Sequence, residues 1–140
     1  MEKISKLEEL LKNMTPELAG GKYYFASVDE MQLMALSSYL DCIICVYREK
    51  EGLTIVFSEE ITEEMKEFTE KEIIGPFALI ALNIYSDLMA VGLLAKITDT
   101  LAKERISVNA FSAYHHDHVF VPYERKDEAM RELKKLQGGG

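Results

Sequence analysis

The chain repeats itself. Met31, Leu33 and Met34 lead into the apolar run 42–47, then Glu51-Gly52, then the apolar run 53–57 and an acidic helical segment. The same order returns as a helical stretch over 88–101, a strand over 106–114, His116-Asp117, a strand over 118–121 and a second helix over 125–136. Setting Glu51-Gly52 over His116-Asp117 aligns the two hairpins without a gap. A repeat of this size is one supersecondary unit used twice, and such units bury their open faces against each other. Function is then expected between the copies, or at what one copy carries and the other lacks.

Local signals fill in the elements. Ile4, Leu7, Leu10 and Leu11 recur at helical spacing, and Thr15-Pro16 stops that helix near Asn13. Gly20-Gly21 make a turn, 22–28 reads as a strand, and Asp29 caps a short helix reaching Leu36 or beyond. The hairpin 42–48 and 53–57 turns at Glu51-Gly52. Ser58 is read as the N-cap of a helix over 59–71, and Gly75-Pro76 as the break between copies. Residues 77–85 form a strand apolar enough for burial on both faces, and Ser86 or Asp87 caps a helix over 88–103. Leu88, Val91, Leu94, Ala95, Thr98 and Leu101 are expected as its buried stripe, and Ala129, Leu133 and Leu136 as that of the last helix.

The order β-α-β-β-α in each copy is the ferredoxin-like arrangement. The expected class is α+β: two βαββαβ modules with antiparallel sheets and helices packed on one face. The modules are placed at 1–74, with a leading helix, and 75–137, with 138–140 as a flexible tail. The usual fourth strand is not evident in each copy, so 77–85 either serves twice or the second copy goes without.

Composition narrows the function. The formal net charge of −8 argues against a nucleic-acid partner. No apolar run is long enough for a membrane span. Two cysteines and a start without signal-peptide character predict a cytoplasmic protein. Cys42 and Cys45 fit a C-x-x-C string, but both sit in a β-branched strand and read as buried core thiols. Tyr23, Tyr24, Phe25, Met31 and Met34 read as core, and Glu63, Glu64, Glu67, Glu70 and Glu72 as a solvated face. No phosphate loop, nucleotide fingerprint or nucleophile elbow is present, and Ser112, His115 and Asp117 are too close in sequence to assemble a triad. No enzyme and no cofactor are expected. His116 and His118 can converge on one strand face, but two ligands do not close a tetrahedral metal site, so a small metal-dependent enzyme is the weakest reading.

The second copy resembles an ACT domain of the aspartate-kinase type. The resemblance is carried by Ile80-Ala81-Leu82-Asn83-Ile84-Tyr85-Ser86, by Val91-Gly92-Leu93, and by 101–109 ending in Ser107-Val108-Asn109. The whole chain is similar to stand-alone proteins with two ACT-like repeats, most specifically in 114–122. It implies tandem modules with a regulatory, non-catalytic role and a small ligand, an amino acid, bound at a module interface. Carried over by position, the ligand-binding candidates are Ser86, Asp87, Met89, Ala90, Val91, Gly92, Ser107, Val108 and Asn109. The chemistry agrees: a helix N-terminus receives a carboxylate, Gly92 permits close approach, and Asp87 or Asn109 can accept from an ammonium. The same residues also fit a structural reading, with Ser86 and Asp87 as a cap, Gly92 as a packing glycine and Asn109 at a sheet edge. Expected partners are the amino-acid ligand and a homodimer mate or partner enzyme. A ligand-free interaction or dimerisation module is the competing reading. The first copy has Val28-Asp29-Glu30-Met31 at the equivalent entrance and no glycine matching Gly92, so a single pocket belongs to the second copy.

Overall fold

Aromatic and β-branched residues following Gly21 form strand β2 (Tyr23–Val28). The computed structural model describes residues 6–84 and 90–137. In it, β2 pairs antiparallel with β4 (Gly52–Ser58) on one side and with the first residues of β5 (Ile74–Asn83) on the other. Strand β3 (Ile43–Glu49) pairs antiparallel with β4 and completes the order β3-β4-β2-β5. Between β2 and β3 run a 3-10 turn (Glu30–Gln32), the short helix α2 (Leu33–Leu36) and a second 3-10 turn (Ser37–Cys42). Between β4 and β5 lie a 3-10 turn (Glu59–Ile61) and helix α3 (Thr62–Met65). This is a complete βαββαβ module. Leu53, Ile55 and Phe57 of β4 share its core with Ala26, Val28, Leu36, Ile61 and Met65.

Several local expectations are met here and several are corrected. Asp29 does cap, its carboxylate accepting from the Met31 amide at 2.8 Å. Ser58 makes no side-chain cap bond, and α3 ends well short of Lys71. The chain leaves the helix because Phe68 packs edge-on against Tyr39 and Thr69 donates to the Ser27 carbonyl at 2.6 Å. Glu49 pairs with Gly52, so the hairpin turn is Lys50-Glu51, one residue earlier than read. Gly75-Pro76 does not break the chain but lies inside β5. Phe25 pairs with Ile74 and Tyr23 with Phe77, which sets Gly75 and Pro76 opposite Tyr24 alone. Such a bulge is where a strand tolerates proline. Gly75 has φ +152°, and a Cβ there would lie 2.5 Å from Tyr24 Cδ1.

The contacts divide the chain into residues 21–77 and a second unit made of 1–20 with 78–140. In the second unit β5 is followed by α4 (Leu93–Lys103), β6 (Asn109–Ser112), β7 (Asp117–Pro122), a 3-10 turn (Tyr123–Arg125) and α5 (Lys126–Gln137). Its fourth strand comes from the start of the chain. Strand β1 (Thr15–Leu18), which follows helix α1 (Leu7–Asn13), pairs antiparallel with β5 from Thr15↔Asn83 to Leu18↔Ile80. The order is β6-β7-β5-β1, the same as in the other unit, with β1 where a strand after α5 would stand. Leu10 and Met14 are fully buried in one core with Ile80, Leu82, Ile97, Val119, Ala129 and Leu133. Pro16 fits because β1 pairs with β5 only, among the described residues, and an outer strand can do without an N–H.

The stripe of α5 is the expected one: Ala129, Leu133 and Leu136 are buried. That of α4 is met in part: Leu101 is buried and Leu94 packs partly buried against the core, but Leu93 and Ile97 carry the rest of the buried face, and Val91 precedes the helix and is 83% exposed. The helix starts late, after a left-handed Gly92, and this resets its phase; the expected start at Leu88 lies outside the described residues.

Candidate functional site

Ser86, Asp87 and Met89 lie outside the described residues. Ala90 is half-buried against the second unit's core, and Val91 is exposed. Gly92 is the N-cap of α4 at φ +98°, a conformation that strains any other L residue, and its carbonyl accepts from the Lys96 amide at 2.9 Å. Leu7 of α1 packs against it: a Cβ on Gly92 would lie 3.3 Å from Leu7 Cδ2.

The two ends of α4 are treated differently. At the C-terminal end the Arg125 guanidinium donates to the carbonyls of Glu104 at 3.0 Å and Arg105 at 3.4 Å, while Glu128 holds it at 2.8 Å. A cation there complements the helix dipole. At the N-terminal end Gly92 has no side chain with which to cap, and the first turn of α4 carries no acid. Helices α1 and α5 both carry first-turn acids, Glu8 with Glu9 and Asp127 with Glu128. The start of α4 is therefore the one among these three longer helices whose own residues leave the positive dipole end uncompensated. The sequence reading missed Arg125; its only signal was an Arg two elements away, which no local pattern connects to α4.

Ser107, Val108 and Asn109 leave from the far end of α4. The Ile106 amide donates to the Leu101 carbonyl at 3.0 Å, and Asn109 then opens β6 opposite Phe120. Eleven helical residues, about 16 Å at 1.5 Å each, separate them from Gly92. The six described candidates thus fall into two groups at opposite ends of one helix. The expected strand over 106–114 is shorter because Ile106 turns inward to close the helix end.

The histidine segment is a loop joined to a strand. Ser112 pairs with Asp117, so residues 113–116 form the turn and Asp117 is buried within β7, not in the turn as read. His116 Nδ1 lies 3.2 Å from the Ile84 carbonyl and donates to it, tying this turn to the end of β5. Among the described residues, no three His, Cys, Asp or Glu side chains gather as a metal site would require. Burial, reinforced by nearby His116, pushes the His118 pKa below its ordinary 6.5. The unfolded chain then takes up this proton first as pH falls, so stability is full above about pH 6.5 and declines below it toward the folded pKa. We expect His118→Gln to flatten the loss of urea resistance between about pH 7 and 5.

Cys42 and Cys45 are free thiols, half-buried rather than deep in the core, because Cys42 closes the turn before β3 and β3 is an outer strand. Burial raises the pKa of both, with the Glu60 carboxylate 3.4 Å from Cys42 Sγ adding to it, which disfavours the thiolate. The first copy's entrance borders a cleft of about 440 Å³ whose walls include Asp29, Glu51, Glu67 and Glu70. That lining, with Lys71 as its one cation, disfavours a carboxylate, whereas the first turn of α4 carries no acid. No helix among the described residues is long and apolar enough to cross a membrane.

Two ACT domain profiles match the chain, one over residues 3–67 and one over 76–135. The crystal structure of VC0802 from Vibrio cholerae, described as a protein of unknown function and possible transport protein, is 39% identical. It superposes with a TM-score of 0.76 over 94% of this chain and 95% of that one. The regulatory subunit of aspartate kinase from Thermus flavus superposes with a TM-score of 0.65 at 11% identity, over 87% of this chain and 96% of that one. Aspartate kinase from Clostridium acetobutylicum does so with a TM-score of 0.64 at 14% identity, over 88% of this chain and 34% of that one. At such identities the two kinase structures show a shared fold. No curated protein matches. With two profiles in tandem on a duplicated βαββαβ fold, the chain belongs to the ACT-domain family.

Proposed function

We propose that this is a non-catalytic, cytoplasmic regulatory protein that binds a small amino acid by its carboxylate at the start of α4. ACT domains are typically regulatory and amino-acid-binding. The observation that carries the site is the asymmetry of α4: Arg125 closes one end, while the other begins at a left-handed glycine with no first-turn acid. Free N–H groups and a positive dipole end favour an anion there. Ala90, Val91 and Gly92, with the preceding Ser86, Asp87 and Met89, form the carboxylate half of the proposed site. Asp87 takes the ammonium. Leu7 walls one side of Gly92 and so limits the size of the ligand. Ser107, Val108 and Asn109 form a second, separate contact surface at the other end of the helix.

The test is thermal unfolding with single amino acids at millimolar concentration. A ligand present at about 100 times its Kd and bound only by the folded state adds about 2.7 kcal/mol, a Tm rise of several degrees. The rise is expected with one or a few amino acids, and is expected to vanish in Asp87→Ala and Gly92→Ala. A flat response to all of them would remove the amino-acid reading.

A further inference from the structure

Building on the amino-acid reading, we propose that Asp117 receives the ammonium group of the ligand, so that the site takes a zwitterion and refuses the matching acid without an amine. Asp117 opens β7 and is 8% exposed, the one buried polar or charged side chain among the described residues. Its backbone pairs with Ser112, but its carboxylate meets no hydrogen-bond donor among them. None of their ion pairs, formed by Arg48, Lys66, Lys103, Arg125 and Lys135, includes it. His118 stands on the opposite face of β7, because strand side chains alternate, and burial holds its pKa below 6.5, so it is mostly neutral at pH 7. His116 Nδ1 donates to the Ile84 carbonyl instead. A carboxylate taken out of water with neither donor nor cation is costly, and such groups gather where a ligand supplies the partner. The fold itself does not ask for an acid here: the closing position of the first copy's hairpin, opposite Glu49, is Gly52.

Two placements bring this carboxylate to the start of α4. Asp117, Val119 and Val121 share one face of β7, and Val119 and Val121 lie in one core with Leu93, Ile97 and Leu101 of α4. Asp117 therefore stands on the face that α4 covers, beyond the last apolar residue of that row. It also stands at the end where α4 begins. Strand β6 opens after the C-terminal end of α4 with Asn109 opposite Phe120, and runs back to Ser112 opposite Asp117. The turn 113–116 is held to Ile84, where β5 has ended and the chain leads on to α4. A positive helix end and an unpaired carboxylate thus lie at one end of one module. A plain anion there would meet the like charge of Asp117, whereas a zwitterion brings its own cation. An α-ammonium group has three N–H donors, so it takes Asp117 besides the acceptor already assigned.

The test is thermal unfolding of the full chain with each common amino acid and, for those that raise Tm, with the 2-hydroxy acid of the same side chain. Wild type is expected to respond to the amino acid and not to the hydroxy acid. Asp117→Asn keeps the shape and removes the charge. Its Tm without ligand should equal or exceed that of wild type, because an unpaired buried charge is gone, whereas loss of an acid that the fold needs would lower it. Its dissociation constant for the responding amino acid, read by titration calorimetry, should rise about ten- to hundredfold, as loss of a hydrogen bond to a charged group does. A wild type that responds to both acids of a pair, an Asp117→Asn variant that binds as tightly as wild type, or one with a lower Tm without ligand would each overturn the role of Asp117 and leave the amino-acid site standing. A wild type silent to every amino acid would overturn both.

Discussion

Leu10→Ala is expected to destabilise the protein by about 2–5 kcal/mol, a large share of the 5–15 kcal/mol that holds a typical native domain. Leu10 is fully buried and packs with Met14, Ile80, Leu82 and Leu133, so its removal leaves a cavity and forfeits apolar burial. The location of the damage matters more than its size. Leu10 sits near the start of the chain, yet it shares one core with residues of β5, β7, α4 and α5. In amide hydrogen exchange, protection should fall in β6, β7 and α5 while β3 and β4 keep theirs. Loss of protection in β3 and β4 instead would mean that α1 and β1 belong with the segment that follows them in sequence. Leu40→Ala, at an exposed position, is the control and should change stability by less than about 0.5 kcal/mol.

The complementary result is expected for Phe57→Ala, at about 3–5 kcal/mol. Phe57 is fully buried on β4, opposed by Ile43 on one side and Tyr24 on the other, with its ring 6.0 Å from that of Tyr24. No single neighbour can fill the space, because the module's two central strands and its helices all pack on this ring's surroundings. Here β3 and β4 should lose protection first. Phe57→Leu, which keeps most of the volume, should recover more than half of the loss, as measured by urea unfolding. Equal losses for the Ala and Leu variants would mean that ring stacking, rather than filled volume, sets the energy.

Much of the fold is legible in the residues themselves. The β2 strand, the β3-β4 hairpin, the Asp29 cap and the buried face of α5 each follow from periodicity or from one capping residue, and each is local. Misreadings occurred where a non-local contact overrides a local pattern. Thr69 and Phe68 draw the chain out of α3, Tyr24 shapes the bulge around Gly75-Pro76, and Ile106 ends the approach to β6 early. At the candidate site Gly92 was visible because its type is informative. Leu7 beside it and Arg125 at the other end of α4 were not, since each reaches α4 from a different element.

Sequence alone determined that one β-α-β-β-α unit occurs twice, because alternation and helical spacing record which face of each segment is buried. Tertiary structure alone decided which strand fills each fourth place. An open sheet side can be closed by any strand with matching groups, and backbone hydrogen bonds carry no residue code. So β5 closes one module, and β1, from the opposite end of the sequence, closes the other.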